Sequence, residues 1–134
     1  VYSPIVSEGE ADAVVSFERL EAARWLPYLK EGGRLIVNDQ RIDPMPVITG
    51  AAQYPDGVLE KLAATCANLL AVDALSLAEQ AGSAKAVNVV LMGVLSTLLD
   101  IPEEAWQASL EACVPAKFLE LNRRAFALGR NHTA

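Results

Sequence analysis

EADAVVSFERLEAARWLPYLKEGGRLIVN, residues 10–38, reads as a strand, a helix and a second strand joined by short turns. Residues 13–17 form a short apolar run bounded by charge; residues 34–38 form another, opened by Gly32 and Gly33. Between them Leu20, Ala23, Leu26 and Pro27 recur near helical spacing, the periodicity that separates an amphipathic helix from its flanking strands. One βαβ unit of this kind belongs to a doubly wound α/β domain, whose first strand normally ends in a Gly-rich phosphate loop. No GxGxxG-like pattern stands upstream. The reading is of a chain that begins inside its own domain, with an N-terminal βα unit missing.

Downstream, residues 39–57 are rich in turn formers: Asp43-Pro44, Met45-Pro46, Thr49-Gly50 and Tyr54-Pro55-Asp56-Gly57. Residues 45–48 are expected to add a short edge strand, since proline is tolerated at a sheet edge and not in its middle. A helix over 58–66, a buried strand over 69–73 and a short helix over 76–81 stopped by Gly82 continue the alternation. After Ser83, suited to an N-cap, the pattern turns helical over 85–99, 102–113 and 115–128, with Pro102 and Pro115 in first turns. The 134 residues make one domain's worth of chain with one expected core. Loss of a unit near the sheet centre would leave the remainder insoluble or oligomeric, so a longer parent chain is expected.

Composition narrows the function. Hydrophobic residues make up 52% of the chain, enough that some apolar surface is expected to face a partner or a second copy. The formal net charge of −6 argues against nucleic acid, whose recognition needs clustered Lys and Arg; Arg123, Arg124 and Arg130 are expected on a solvated helix face. The longest apolar stretch, 86–99, is interrupted by Asn88, Ser96 and Thr97 and is too short for a bilayer of about 30 Å. The first twelve residues have neither a basic nor an apolar targeting region, and a cytoplasmic, membrane-free location is expected.

Catalytic residue types are sparse. The lone histidine, His132, sits in a terminal Arg-Asn-His-Thr-Ala tail expected to be disordered, and the two cysteines, Cys66 and Cys113, are far apart and expected to be small buried helix residues. No metal site and no acid–base constellation can be assembled from this set. What remains is topological. Ligands of open α/β sheets lie beyond the carboxyl ends of the strands, which directs attention to Phe17 and Glu18, Asn38 and Asp39, and Asp73 and Ala74, with Asn88 opening the long apolar helix. Glu18, Asn38, Asp73 and Asn88 are the candidate binding residues. Glu18 and Asp73 equally suit helix caps, where a carboxylate accepts from free N–H groups, and Asn38 suits either a loop anchor or a ligand contact.

The chain resembles the gamma subunit or domain of the 2-oxoacid:ferredoxin oxidoreductases, and within them the indolepyruvate branch. The resemblance rests on Val1-Tyr2-Ser3-Pro4, EGEAD at 8–12, Phe17-Glu18 with Leu20-Glu21-Ala22, Tyr28-Leu29-Lys30 before Gly32-Gly33, Val37-Asn38, Val72-Asp73-Ala74, NVVLMG at 88–93, and the last helix with Lys117-Phe118, Glu120-Leu121-Asn122 and Ala125-Phe126. It implies a Rossmann-like three-layer α/β/α fold with a mixed, mostly parallel sheet and a helical C-terminal part. Residues 1–134 would form a single gamma-type domain, equivalent to domain III of the pyruvate enzymes and N-terminally incomplete. It further implies an accessory part of an enzyme that oxidatively decarboxylates a 2-oxoacid to an acyl-CoA and passes electrons to ferredoxin. Thiamine diphosphate and iron–sulfur clusters would be carried by a partner subunit or domain, with no cofactor in this chain and no turnover by the chain alone. Glu18, Asn38, Asp73 and Asn88 would then face the CoA side, although the family's GxGGQG-type loop has no counterpart here.

Two other readings stand beside it. LPYLKEGGRLIVND also resembles the late helix-turn-strand of class I methyltransferases that use S-adenosylmethionine, although the three terminal helices are unlike the β structure that would follow there. A domain serving only to hold other subunits together is the third. The helical stripe Phe118, Leu121, Ala125 and Leu128 is its candidate contact, or else packs within its own domain.

Overall fold

The computed structural model describes residues 4–132, so Val1, Tyr2 and Ser3 of the opening motif and the last two residues of the terminal tail lie outside the described residues. The described chain falls into two compact units, Val1–Val72 and Asp73–Ala134.

The first unit is the βαβ unit extended by one strand. Strand β1 (Ala11–Ser16), helix α1 (Arg19–Trp25) and strand β2 (Leu29–Asn38) are followed by the short helix α2 (Met45–Ile48), helix α3 (Val58–Thr65) and strand β3 (Leu69–Val72). The sheet order is β1-β2-β3 and both pairings are parallel, aligning Val15 with Ile36, Ser16 with Val37 and Asn38 with Val72. Every pairing described is parallel, and the sheet thus has the parallel part of the mixed sheet expected. β2 is central and is buried continuously from Leu35 to Asn38, as parallel strands covered on both faces are. Leu35 and Val37 point to one face and pack with Ala22 of α1, and with Val58, Leu62 and Cys66 at α3. Ile36 and Asn38 point to the other and are equally buried.

Two segments correct the sequence reading. Residues 45–48 form a helical turn rather than an edge strand. Pro44 enters in extended geometry and Pro46 supplies a fixed φ inside the first turn, where its missing N–H costs nothing. The Gly32-Gly33 pair does not open the second strand but interrupts it. β2 begins at Leu29, and the register with β1 shifts between Ala11↔Leu29 and Ala13↔Arg34. Gly32 lies at φ +77° within that irregularity, a left-handed conformation that glycine adopts without a steric penalty.

The second unit is helical: α4 (Ala74–Ala81), α5 (Val87–Ser96), α6 (Glu103–Cys113) and α7 (Leu119–His132), with 3-10 turns before α5 and α7. Helices α5 and α7 make the main contact, joined by α4. Gly93 and Gly129 permit it: a Cβ on Gly93 would lie 2.2 Å from the Phe126 carbonyl oxygen, and one on Gly129 would lie 2.0 Å from that of Val90. The expected α7 stripe is rotated. Ala125, Phe126 and Gly129 are buried, whereas Phe118 is exposed. The arginines expected on a solvated face act as clamps. Arg124 donates through Nε and Nη2 to the Ala81 carbonyl at 3.1 and 2.9 Å, capping the end of α4, and Arg130 donates to the Ser96 hydroxyl at 2.9 Å. Arg123 pairs with Glu111 and Glu120. Residues 130–132 of the expected disordered tail continue α7, ending at an exposed His132. Cys66 is buried as expected, but Cys113 is exposed at the end of α6.

Candidate functional site

The carboxyl ends of β1 and β2 bring Glu18 and Asn38 to one end of the first unit. Glu18 caps α1 from an extended backbone at φ −155°. Its Oε2 accepts from the Leu20 and Glu21 N–H groups at 2.9 and 3.2 Å, and its Oε1 accepts from the Tyr54 hydroxyl. The residue is only 6% exposed, so each of its carboxylate oxygens is answered inside the protein, as burial of a charge demands. Asn38, 1% exposed, donates through Nδ2 to the Phe17 carbonyl at 3.1 Å and to Gln40 Oε1 at 3.0 Å, tying the end of β2 to the turn after β1.

Residues absent from the candidate set complete this end. Arg19 donates through Nε to Asp39 Oδ1 at 2.7 Å, and its Nη2 lies 2.6 Å from the same oxygen. The Arg41 guanidinium sits 4.3 Å from the centre of the Tyr54 ring while its Nε donates to Asp43 Oδ1 at 2.6 Å. Burial first, and then the bond to Glu18, push the Tyr54 hydroxyl up to about 12, so it remains a donor at neutral pH. Arg19, Asp39, Arg41 and Tyr54, with Asp56 and Glu60 at the start of α3, line a cleft of about 410 Å³. A larger hollow of about 600 Å³ lies at the opposite ends of the strands, beside Leu29, Gly33 and Asn68. The strand-end cleft is the one matching the position at which open α/β sheets bind ligands.

The donor set of that cleft decides what it accepts. Both guanidinium groups are already paired with carboxylates, and Asp56 and Glu60 add two further acids. A pyrophosphate does not fit this set, since it needs unspent cations. Hydroxyl, amine or amide groups of a ligand do fit, because each can donate to the surplus carboxylate oxygens.

Asp73 and Asn88 belong to the second unit, and each has a local role there. Asp73 caps α4, accepting from the Ser76 N–H at 3.2 Å and the Ser76 hydroxyl at 2.7 Å. The hydroxyl bond first, and then the N–H, hold its carboxyl below the ordinary 3.8. Asn88 is exposed, and its Oδ1 accepts from the adjoining Val89 N–H at 2.9 Å. The cap reading of Glu18 and Asp73 is therefore observed directly. Tyr54 and Arg41 had no readable signal beyond a turn sequence, because their partners are set by the folding of the 39–57 segment. Among the described residues no group of three or more His, Cys, Asp and Glu side chains is placed to hold a metal ion, and no helix is long and apolar enough to cross a membrane.

Known proteins resemble this chain over nearly its whole length. The family model described as pyruvate ferredoxin/flavodoxin oxidoreductase matches residues 1–132. The indolepyruvate oxidoreductase subunit IorB of Thermococcus kodakarensis is 40% identical over 134 residues, covering 96% of this chain and 66% of the relative. Its counterpart in Pyrococcus horikoshii is 38% identical with the same coverage. A keto/oxoacid ferredoxin oxidoreductase gamma subunit from Geobacter sulfurreducens superposes with a TM-score of 0.66 at 25% identity, covering 95% of this chain and 66% of its own. This α/β fold is shared with it. The chain thus spans about two thirds of the length of the relatives it matches. A match of this extent sets aside the methyltransferase reading: the chain belongs to the pyruvate ferredoxin/flavodoxin oxidoreductase family.

Proposed function

We propose that this chain is part of an accessory, gamma-type subunit of a 2-oxoacid:ferredoxin oxidoreductase, of the branch that acts on indolepyruvate-type substrates. Thiamine diphosphate and iron–sulfur clusters are carried by a partner subunit, and electrons leave to ferredoxin through that partner. The observation that carries this reading is the family match over nearly the whole chain, together with relatives named as subunits of indolepyruvate oxidoreductase. The geometry supports it. The polar groups at the strand end are engaged in holding the first unit together, as in a scaffold rather than an acid–base centre. The one histidine and two cysteines of the chain give no cluster.

The strand end of the first unit faces the CoA side of the complex through the cleft beside Arg19, Asp39, Arg41 and Tyr54, which the buried Glu18 and Asn38 hold in place. Its chemistry favours the amide and hydroxyl portions of such a ligand over its phosphates. The two units together make one gamma-type domain in a cytoplasmic enzyme. The decisive test is reconstitution. The complete subunit carrying this chain is mixed with its thiamine-diphosphate-bearing partner and assayed with indolepyruvate, CoA and a low-potential acceptor. Turnover is expected in the mixture alone, and turnover by the chain without partner overturns the accessory role. Asn38→Ala in the assembled complex is expected to raise the apparent KM for CoA. An unchanged KM removes the CoA-side assignment while leaving the accessory role standing.

A further inference from the structure

Helix α6 differs from its neighbours in how it is held. None of its residues is buried: Trp106, Gln107 and Leu110 are half-buried and the rest are exposed. By contrast, α5 and α7 each bury several residues against one another. The packing of α6 is mainly against α7, where the Trp106 ring meets Phe126 at 5.9 Å between centroids, tilted by 38°. At this anchor the Trp106 Nε1 is sealed from solvent with no hydrogen-bond partner. Docking therefore withdraws an indole N–H from water without replacing the lost bond.

Two ion pairs between α6 and α7 are long, and their arginines are shared with other partners. Arg130 Nε lies 3.6 Å from Glu103 Oε2 and Arg123 Nη2 lies 3.5 Å from Glu111 Oε2, in side chains that are about a third exposed or more. Each arginine has a second partner off α6: Arg123 bonds Glu120 on its own helix, and Arg130 bonds Ser96 on α5. Release of α6 thus leaves neither cation unpaired. Both ends of the helix break sharply from helical geometry. Pro102 and Val114 take extended backbone at ψ 144° and 134°, and Pro115 follows.

We propose that α6 is a clip that opens as a body about its flanking segments, uncovering Phe126 and the adjoining face of α7 while α4, α5 and α7 stay packed. The unanswered indole N–H biases the clip towards opening, and the two screened ion pairs make opening increase with salt. Phe126 is 1% exposed with the clip closed, so opening converts a sealed ring into an apolar surface.

Amide hydrogen exchange on the complete subunit carrying this chain tests this directly. The α6 amides are expected to exchange about tenfold or more faster than those of α5 and α7, and faster again when salt rises from about 0.05 M to about 0.5 M. Exchange of α6 in step with α5 and α7, or a rate indifferent to salt, overturns the clip. Trp106→Phe keeps an aromatic ring and removes the orphaned donor. It is expected to slow α6 exchange by about threefold, whereas Trp106→Ala speeds it. If Trp106→Phe speeds exchange as Trp106→Ala does, the indole N–H is not the source of the bias and the proposal fails.

Discussion

The two units of this chain bury different things. The first encloses polar groups at its strand ends, where Ser16, Glu18 and Asn38 are nearly inaccessible. Each of these has hydrogen-bond partners within the unit. The second encloses backbone against backbone, with Gly93 and Gly129 letting α5 and α7 approach to a distance that no side chain tolerates. Order in the first is written in donors and acceptors, which a ligand or a change of pH can alter. Order in the second leans on that close approach, with Arg124 on the Ala81 carbonyl, Arg130 on the buried Ser96 and the Asp73 cap adding polar ties.

The sharpest break of this contrast is in the second unit. Gly129→Ala places a methyl group at 2.0 Å from the Val90 carbonyl oxygen, and a loss of about 3 kcal/mol or more is expected in denaturant unfolding. A loss below about 1 kcal/mol would mean that the helices can part without penalty. In the first unit, Asn38→Ala removes the bond from β2 to the Phe17 carbonyl and the local bond to Gln40, for an expected loss of about 2–3 kcal/mol. Tyr54→Phe leaves Glu18 with its two N–H donors alone and is expected to cost about 1 kcal/mol.

Tyr54 adds an alkaline pH signature to the first unit. Its folded pKa is raised from 10.0 to about 12, so the folded state holds the proton after the unfolded chain has lost it. This contribution is complete below pH 10 and falls as pH climbs towards about 12. Alkaline melting curves of the wild type should show that decline, and Tyr54→Phe should flatten it. Asp73 works in the opposite sense. Its lowered pKa gives stability that is present above the ordinary 3.8 and is lost as pH falls below it. Asp73→Ala, which removes the α4 cap, is expected to cost about 1 kcal/mol near neutral pH. The smallest effect is expected from Arg41→Ala, which loses an exposed contact with the Tyr54 ring and should leave the denaturation midpoint nearly unmoved.

What was legible in the sequence was local. Apolar runs and helical spacing revealed β1, α1 and the buried end of β2, because the periods of strand and helix are written in successive residues. Glu18 and Asp73 were readable as caps because a cap bonds N–H groups two or three residues away. Asn38 was visible as a polar residue ending an apolar run, although its partner Phe17 lies 21 positions back. What escaped depends on pairing between distant residues. Tyr54 finds Glu18 across 36 positions, and Arg124 finds the end of α4 across 43. The early start of β2 at Leu29 follows from pairing with Ala11, which no local rule reveals. The 45–48 segment misled because valine and isoleucine favour strands, whereas prolines on both sides of Met45 set helical entry.

The sheet order β1-β2-β3 repeats the order of the strands along the chain. Each new strand docks beside the one made just before it, so no pairing waits for a segment far downstream. Each pairing still closes a parallel crossover, β1 to β2 through α1 and β2 to β3 through α3, and such non-local pairing forms more slowly than a hairpin. All the same, these three strands can pair with one another before the helices of the second unit have left the ribosome.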